Sequence, residues 1–165
     1  MPPRPMVTIP YSALDFALWV AAALVIAFGF VIAARALPKL PATIAVHFGL
    51  TGRPDSYGPR WMLVIMPVLA LAIGAFMMLT ARRPETFNYP FAVTPENAAR
   101  MYAVGRLAIE SLALWVASVL TAIEWMMIRA AFMAKARIPW VALIVIVGGT
   151  FGLIAFFLVL QSRAA

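Results

Sequence analysis

The sequence predicts an all-α integral membrane protein: four transmembrane helices in a bundle, with a turn-rich first loop. Three observations carry that expectation. Of 165 residues, 65% are hydrophobic and 12% charged, whereas soluble domains are charged at about a quarter of their positions. Three uncharged runs, at 16–34, 61–81 and 138–162, each supply the roughly 20 apolar residues that cross a bilayer core. A fourth stretch, 101–128, carries Arg106, Glu110 and Glu124, yet 111–123 is uncharged, free of proline and rich in helix formers. In lipid the backbone must satisfy its own hydrogen bonds, so these runs are helices. The spans are expected at about 14–36, 61–81, 99–128 and 138–161, with a lead-in over 1–13 and a motif loop over 37–60. An even number of spans puts both termini on one side of the membrane.

Taken in order, "MPPRPMVTIPYSALD" holds four prolines and is expected to be an extended, poorly ordered or interfacial lead-in. The first apolar run, followed by "AARA" at 33–36, has some features of a cleaved signal peptide. It exceeds the 7–15 residues of a signal core, and Asp15 stands where positive charge belongs, so a retained helix is expected. Tyr11 and Trp19 suit the headgroup level. In the loop, Thr51-Gly52, Pro54-Asp55 and Gly58-Pro59 read as consecutive turns. Arg60 and Trp61 then anchor the second helix, in which Pro67 is expected to make a kink. The loop 82–100 carries Phe87, Tyr89 and Phe91, which suggest that it lies along the membrane surface. At its end Thr94 is an N-cap candidate with Pro95 at the first helical position. The last helix begins near Pro139 and Trp140, and Gly148 with Gly152 has the small-xxx-small spacing of close helix packing.

The formal net charge of +7 reads as Lys and Arg at helix ends facing the anionic headgroups of the lipid bilayer. Nucleic-acid binding needs a basic face on a folded module, and none is expected here. The side holding Arg35, Lys39, Arg53, Arg60, Arg129, Lys135 and Arg137 outnumbers the side holding Arg4, Arg82, Arg83, Arg100 and Arg163. The positive-inside rule then leans towards cytoplasmic first and third loops in a multi-pass protein of the cell's inner (plasma) membrane. The absence of cysteine excludes disulfides and thiolate metal sites. A glycine-framed serine, a phosphate-binding glycine loop and an HExxH helix are all missing, so neither an enzyme nor a cofactor is expected. An uncharacterised membrane activity is the remaining enzymatic alternative.

Two polar constellations stand out. Arg106 and Glu110 are adjacent on one helix face, and Glu124 returns within about 40° of Glu110. One reading is a polar pocket or proton-linked path in the bundle core. The other pairs Arg106 with Glu110 near the interface and lets Glu124 snorkel out at the far end, close to Arg129. In the loop, His47 and Asp55, with Tyr57 beside them, supply two good metal ligands where three or four are needed. Glu110 or Glu96 would have to complete such a site. A structural histidine or a pH-sensitive contact is the simpler role, and no metal is expected.

The loop "LPATIAVHFGLTGRPDSYGPR" at 40–60 resembles a bacterial membrane domain of unknown function found in the immunity protein family directed against sporulation-delaying toxin. The match runs through Leu40, Pro41, Ile44, His47, Phe48, Gly52, Pro54, Asp55, Tyr57, Gly58 and Arg60. Ala45 stands where that pattern has proline, Gly49 where it has Asn or Asp, and Arg60 where lysine is commoner. A second stretch, "NAARMYAVGR", supplies the matching Asn97, Arg100, Tyr102 and Arg106. The resemblance implies a protein of immunity or signalling type. In it, His47, Asp55, Tyr57 and Arg60 would recognise a toxin peptide, a lipid or a regulatory protein, and Arg106 and Glu110 would support them from the third helix. The alternative is a transport-related protein with an intramembrane path along Arg106, Glu110 and Glu124. Oligomeric state cannot be read from the sequence.

Overall fold

The computed structural model describes residues 4–49, 51–133 and 137–165. Leu50 of the motif loop, Lys135 of the basic tally and the first three residues of the lead-in lie outside the described residues. Four helices are long and apolar enough to cross a membrane. Helix α1 (Ala13–Ala36) opens with a capping box in which Ser12 and Asp15 satisfy each other's backbone N–H groups. A 3-10 turn over Arg60–Val64 leads into α2 (Ile65–Ala81). Pro67 therefore sits in the first turn of α2, where a missing N–H is tolerated, just after the change from 3-10 to α-helical turns within the span Arg60–Ala81. Helix α3 (Ala98–Phe132) is about 52 Å long, well beyond a bilayer core. The cap differs from the expected one: the N-cap is Asn97, without a side-chain cap bond, while the Thr94 carbonyl accepts from the Asn97 and Ala98 N–H groups and the Thr94 hydroxyl holds the Glu96 carboxyl below the usual range. The regular helix is assigned from Ala98, one turn later than the expected start near Pro95. Helix α4 (Trp140–Ala164) completes the set.

Helix α3 is the hub. It packs against α1, α2 and α4, whereas α4 rests chiefly on α3. Small residues make the close approaches possible: Ala22, Gly29 and Ala33 on α1, Ala70 and Gly74 on α2, and Ala113 and Ala117 on α3 are all buried. Between lipid-soluble helices such contacts replace the hydrophobic driving force. On α4 the expected pair Gly148 and Gly152 has nothing within 4 Å of a notional Cβ. The packing glycine is Gly149, where a Cβ would stand 2.4 Å from the Trp115 ring. The Trp115 indole also donates to Thr150 Oγ1 at 3.0 Å.

The first loop departs from the expected chain of turns. It is an antiparallel hairpin of β1 (Thr43–Phe48) and β2 (Pro54–Pro59), with Thr43 opposite Pro59, Ile44 opposite Gly58 and His47 opposite Ser56. Bulges interrupt the ladder between Ala45 and His47 and between His47 and Phe48. Burial explains why strands form here. Ile44 joins Ala33, Ala36, Leu40, Leu63, Met127 and Ile128 in one apolar cluster, which pins β1 onto the ends of α1 and α3. Burying an isoleucine side chain is worth about 1.5–3 kcal/mol. Of the alternatives expected for the lead-in, its described part, 4–12, is without regular secondary structure, and it is tied down: Arg4 donates to the Glu85 and Phe87 carbonyls, and Tyr102 Oη to the Pro5 carbonyl at 3.1 Å.

Candidate functional site

The residues singled out from the sequence fall into two groups at opposite ends of the bundle. His47, Asp55, Tyr57 and Arg60 belong to the hairpin that follows the C-terminus of α1. Asn97, Arg100, Tyr102, Arg106 and Glu110 lie at or near the start of α3, at the end of the bundle where α1 begins, about 36 Å away along the α1 axis. Arg106 and Glu110 therefore do not support the loop. Nor can Glu96 or Glu110 complete a metal site with His47 and Asp55. Among the described residues no three His, Cys, Asp or Glu side chains converge.

On the hairpin, His47 Nδ1 meets Asp55 Oδ1 at 2.5 Å, with side chains 69% and 49% exposed. Gly49 makes the pair possible, because a Cβ there would stand 2.8 Å from Asp55 Oδ2. Tyr57 is exposed on the outer strand. Arg60 plays a different part and closes the hairpin base, its guanidinium donating to the Leu40 carbonyl at 3.1 Å and its backbone N–H to Ala42 at 3.0 Å. At the tip Gly52 adopts φ +71°, and its carbonyl accepts from the Ile138 N–H at 2.8 Å. The hairpin thus offers a polar outer surface on a base held by the bundle and by the entry to α4.

The other end is a buried polar knot. Arg106 does not pair with Glu110. Its Nε donates to Asp15 Oδ1 at 2.9 Å, and its two terminal nitrogens to the Ile9 and Pro10 carbonyls at 3.1 and 2.7 Å. The Tyr11 ring covers the guanidinium with its centroid 4.5 Å away. Glu110 accepts instead from the Trp19 indole at 2.9 Å. Tyr11 and Trp19 meet edge to face, so both aromatics serve this cluster as well as the interface. Asn97 donates to the Ala92 and Ala165 carbonyls, Arg100 to Ala164, and Gln161 to Met101, tying the C-terminal end of α4 to the start of α3. The Tyr89 ring lies tilted against Tyr102 with centroids 5.6 Å apart, and burial raises its phenol above its ordinary range. A Cβ on Gly105 would stand 2.5 Å from Tyr89 Oη. These contacts satisfy backbone carbonyls that would otherwise be orphaned, which is a structural task.

Glu124 does not snorkel. It is fully buried with neither oxygen hydrogen-bonded, and Thr121 Oγ1 also lacks a partner among the described residues. Between Glu110 and Glu124 the same face of α3 carries buried Ala113 and Ala117. Of the charged residues of α3, Arg106 and Glu110 consequently share the knot, whereas Glu124 lies about 21 Å further along the axis, beyond those two alanines. Asp15 and Trp19, which complete the knot, were not among the expected site residues. The only local signal was an acidic residue at a span entrance, and nothing in the sequence says which arginine it meets.

Comparison with known proteins gives two partial matches. An uncharacterized protein of Archaeoglobus fulgidus is 33% identical over 81 residues, covering 47% of this chain and 43% of that protein. The chain thus spans less than half the length of the curated relative it matches. No solved structure matches. Residues 24–71, from the second half of α1 through the hairpin into α2, match a domain of unknown function, DUF1648.

Proposed function

We propose that this polytopic membrane protein is a recognition protein of immunity or signalling type, without an enzymatic step, whose hairpin binds an extended peptide segment at the plasma-membrane surface. The observation that carries the reading is the asymmetry of the hairpin. Ile44 and Ala45 of β1 are buried, whereas His47, Asp55, Ser56 and Tyr57 face solvent. A rigid inner strand with a polar, aromatic outer face suits a partner that adds along the sheet edge. Pro54 and Pro59 bracket β2 and confine such pairing to the residues between them. The domain match includes the hairpin, which fits a shared role for it. A toxin peptide or the exposed segment of a regulatory protein has the chemistry required, with a backbone to pair and polar groups to meet His47 and Asp55.

The test uses cells that depend on the protein for survival of a secreted toxin peptide, or for a membrane-derived transcriptional response. His47→Ala and Asp55→Ala are expected to abolish the phenotype at unchanged protein level. Retention of full protection or signalling by both variants would remove the hairpin from the function.

A further inference from the structure

The junction of α1, α2 and α3 holds a carboxyl that neither the hairpin nor the polar knot uses. Glu124 is fully buried, and both its oxygens lack partners among the described residues. Thr121, one turn earlier, presents an equally unpartnered Oγ1. Both groups face Gly29 of α1. A Cβ built there would stand 3.2 Å from Glu124 Oε2, 3.4 Å from Thr121 Oγ1 and 3.4 Å from Pro67 Cβ of α2. The carboxyl therefore occupies space that a side chain at position 29 would contest.

Among the described residues no charged side chain compensates it. Helix α1 has no ionisable residue between Asp15 and Arg35, α2 none between Arg60 and Arg82, and α4 none between Trp140 and Arg163. On α3 the nearest are Glu110, about 21 Å away along the axis, and Arg129, exposed and on a different face. Apolar residues close the site on both sides. Ala33, Leu63 and Met127 lie towards the hairpin, and Ala113 and Ala117 towards the polar knot. An ionisable residue inside the membrane normally pairs or serves an ion or proton pathway. A purely structural role would be met better by leucine, because a buried polar group without partners is destabilising. The carboxyl is packed against α1 and α2 at van der Waals distances, and the smallest cation that neutralises it is a proton.

We propose that Glu124, with Thr121, is an intramembrane proton-binding site at the contact of α1, α2 and α3, held closed in this conformation. On loading, a carboxylate oxygen takes a proton from hydronium, forms an O–H bond and leaves water. On release that bond breaks and its electron pair stays on oxygen. The two groups do not bond each other in this conformation; the Thr121 hydroxyl, which both donates and accepts, serves either state once the site opens. The cluster that seals the site towards the hairpin contains Ile44 and Leu40, so movement of the hairpin base is the route by which water reaches Glu124. The site does not depend on what the hairpin binds.

Infrared difference spectroscopy of the full chain in lipid nanodiscs, titrated between about pH 5 and about pH 9, reads the exchange directly. The wild type is expected to lose a carboxylic-acid C=O band as pH rises. That band is absent from Glu124→Gln, shifted in its midpoint by Thr121→Val, and retained by Glu110→Gln. A Glu124→Gln titration that superimposes on the wild type overturns the proposal. Should that variant not fold, dicyclohexylcarbodiimide on the wild type replaces it. This membrane-soluble reagent adds the acid O–H across a C=N bond, oxygen to carbon and proton to nitrogen. A mass-mapped adduct on Glu124 is expected, falling about tenfold per pH unit once the acid is mostly ionised. No adduct there at any pH, or a yield independent of pH, overturns the proposal.

Discussion

Replacing Arg106 by alanine tests whether the polar knot holds the bundle together. Arg106 and Asp15 expose only 5% and 2% of their side chains. Breaking a buried ion pair by removing one partner typically destabilises by about 3–5 kcal/mol, because the other charge stays buried. Two features set the position within that range. The Ile9 and Pro10 carbonyls lose their donors as well, which argues for the upper end. Asp15, however, keeps the Ser12 backbone N–H at 2.6 Å and the Ser12 hydroxyl, which argues for the lower. We expect a loss of about 3 kcal/mol, roughly a hundredfold in the folded-to-unfolded ratio. Asp15→Asn retains an acceptor oxygen and should lose less, about 1–2 kcal/mol. The double variant should fall short of the sum, since the two side chains touch. Unfolding in mixed micelles, followed by helicity against denaturing detergent, measures all three. Ordinary interhelical polar contacts in membranes average about 0.6 kcal/mol. An Arg106→Ala loss below about 1 kcal/mol would therefore refute the knot as a principal support.

The other consequences are local. Gly52→Ala places a Cβ 2.3 Å from the Ile138 carbonyl at a positive φ, so the hairpin tip should detach from the entry to α4; hydrogen exchange at the Ile138 amide is expected to rise at least tenfold, and unchanged protection would count against the docking. Deleting residues 4–10 removes the acceptors of Tyr102 and Arg106 and should destabilise by about 1–3 kcal/mol, read by the same detergent unfolding. Gly105→Ala drives a Cβ to 2.5 Å from Tyr89 Oη. It should expel that ring and cost about 1–3 kcal/mol, with Tyr89→Ala in the same chain recovering part of the loss.

The helices were legible because span length is a one-dimensional property, and an apolar run of the right length has no other stable conformation in lipid. The hairpin was not. "TIAVHF" has the β-branched residues of a strand but no clean alternation, and "PDSYGP" is made of residues that strands disfavour, its glycine and prolines reading as turns. The partner of "PDSYGP" is a strand held in place by Ile44 in a tertiary cluster, which no local pattern reports. The polar knot failed for a related reason. Arg106 stands one turn from Glu110 in sequence, and helical spacing alone favours that pair. Asp15, 91 residues away, takes the guanidinium because the capping box already fixes its carboxylate at the α1 entrance. Small-residue spacing on α4 likewise named Gly148 and Gly152, while the Trp115 ring lies over Gly149. Periodicity gives the face of a helix but not which neighbour covers it.

The two glutamates of α3 share a face but should respond oppositely to removal, and that contrast separates a structural carboxylate from an exchangeable one. Glu110 has one oxygen bonded by the Trp19 indole. Trp19→Phe removes the donor and leaves the whole carboxyl unpartnered, a change worth about 1–3 kcal/mol. Glu110→Leu should cost a similar amount by orphaning the indole N–H. Changing both together leaves no polar group behind, so the double variant should be less destabilised than either single one. Glu124 has no such partner, and its oxygens are unbonded at full burial. Glu124→Leu removes an unsatisfied polar group from the core and should raise stability by about 1 kcal/mol or more. Detergent unfolding of the four variants decides the matter. A Glu124→Leu protein destabilised by more than about 1 kcal/mol would mean that the carboxyl contributes a bonded contact to the fold. A stabilised one would mean that the chain retains Glu124 at the expense of stability, as a site that must take up and release a proton requires.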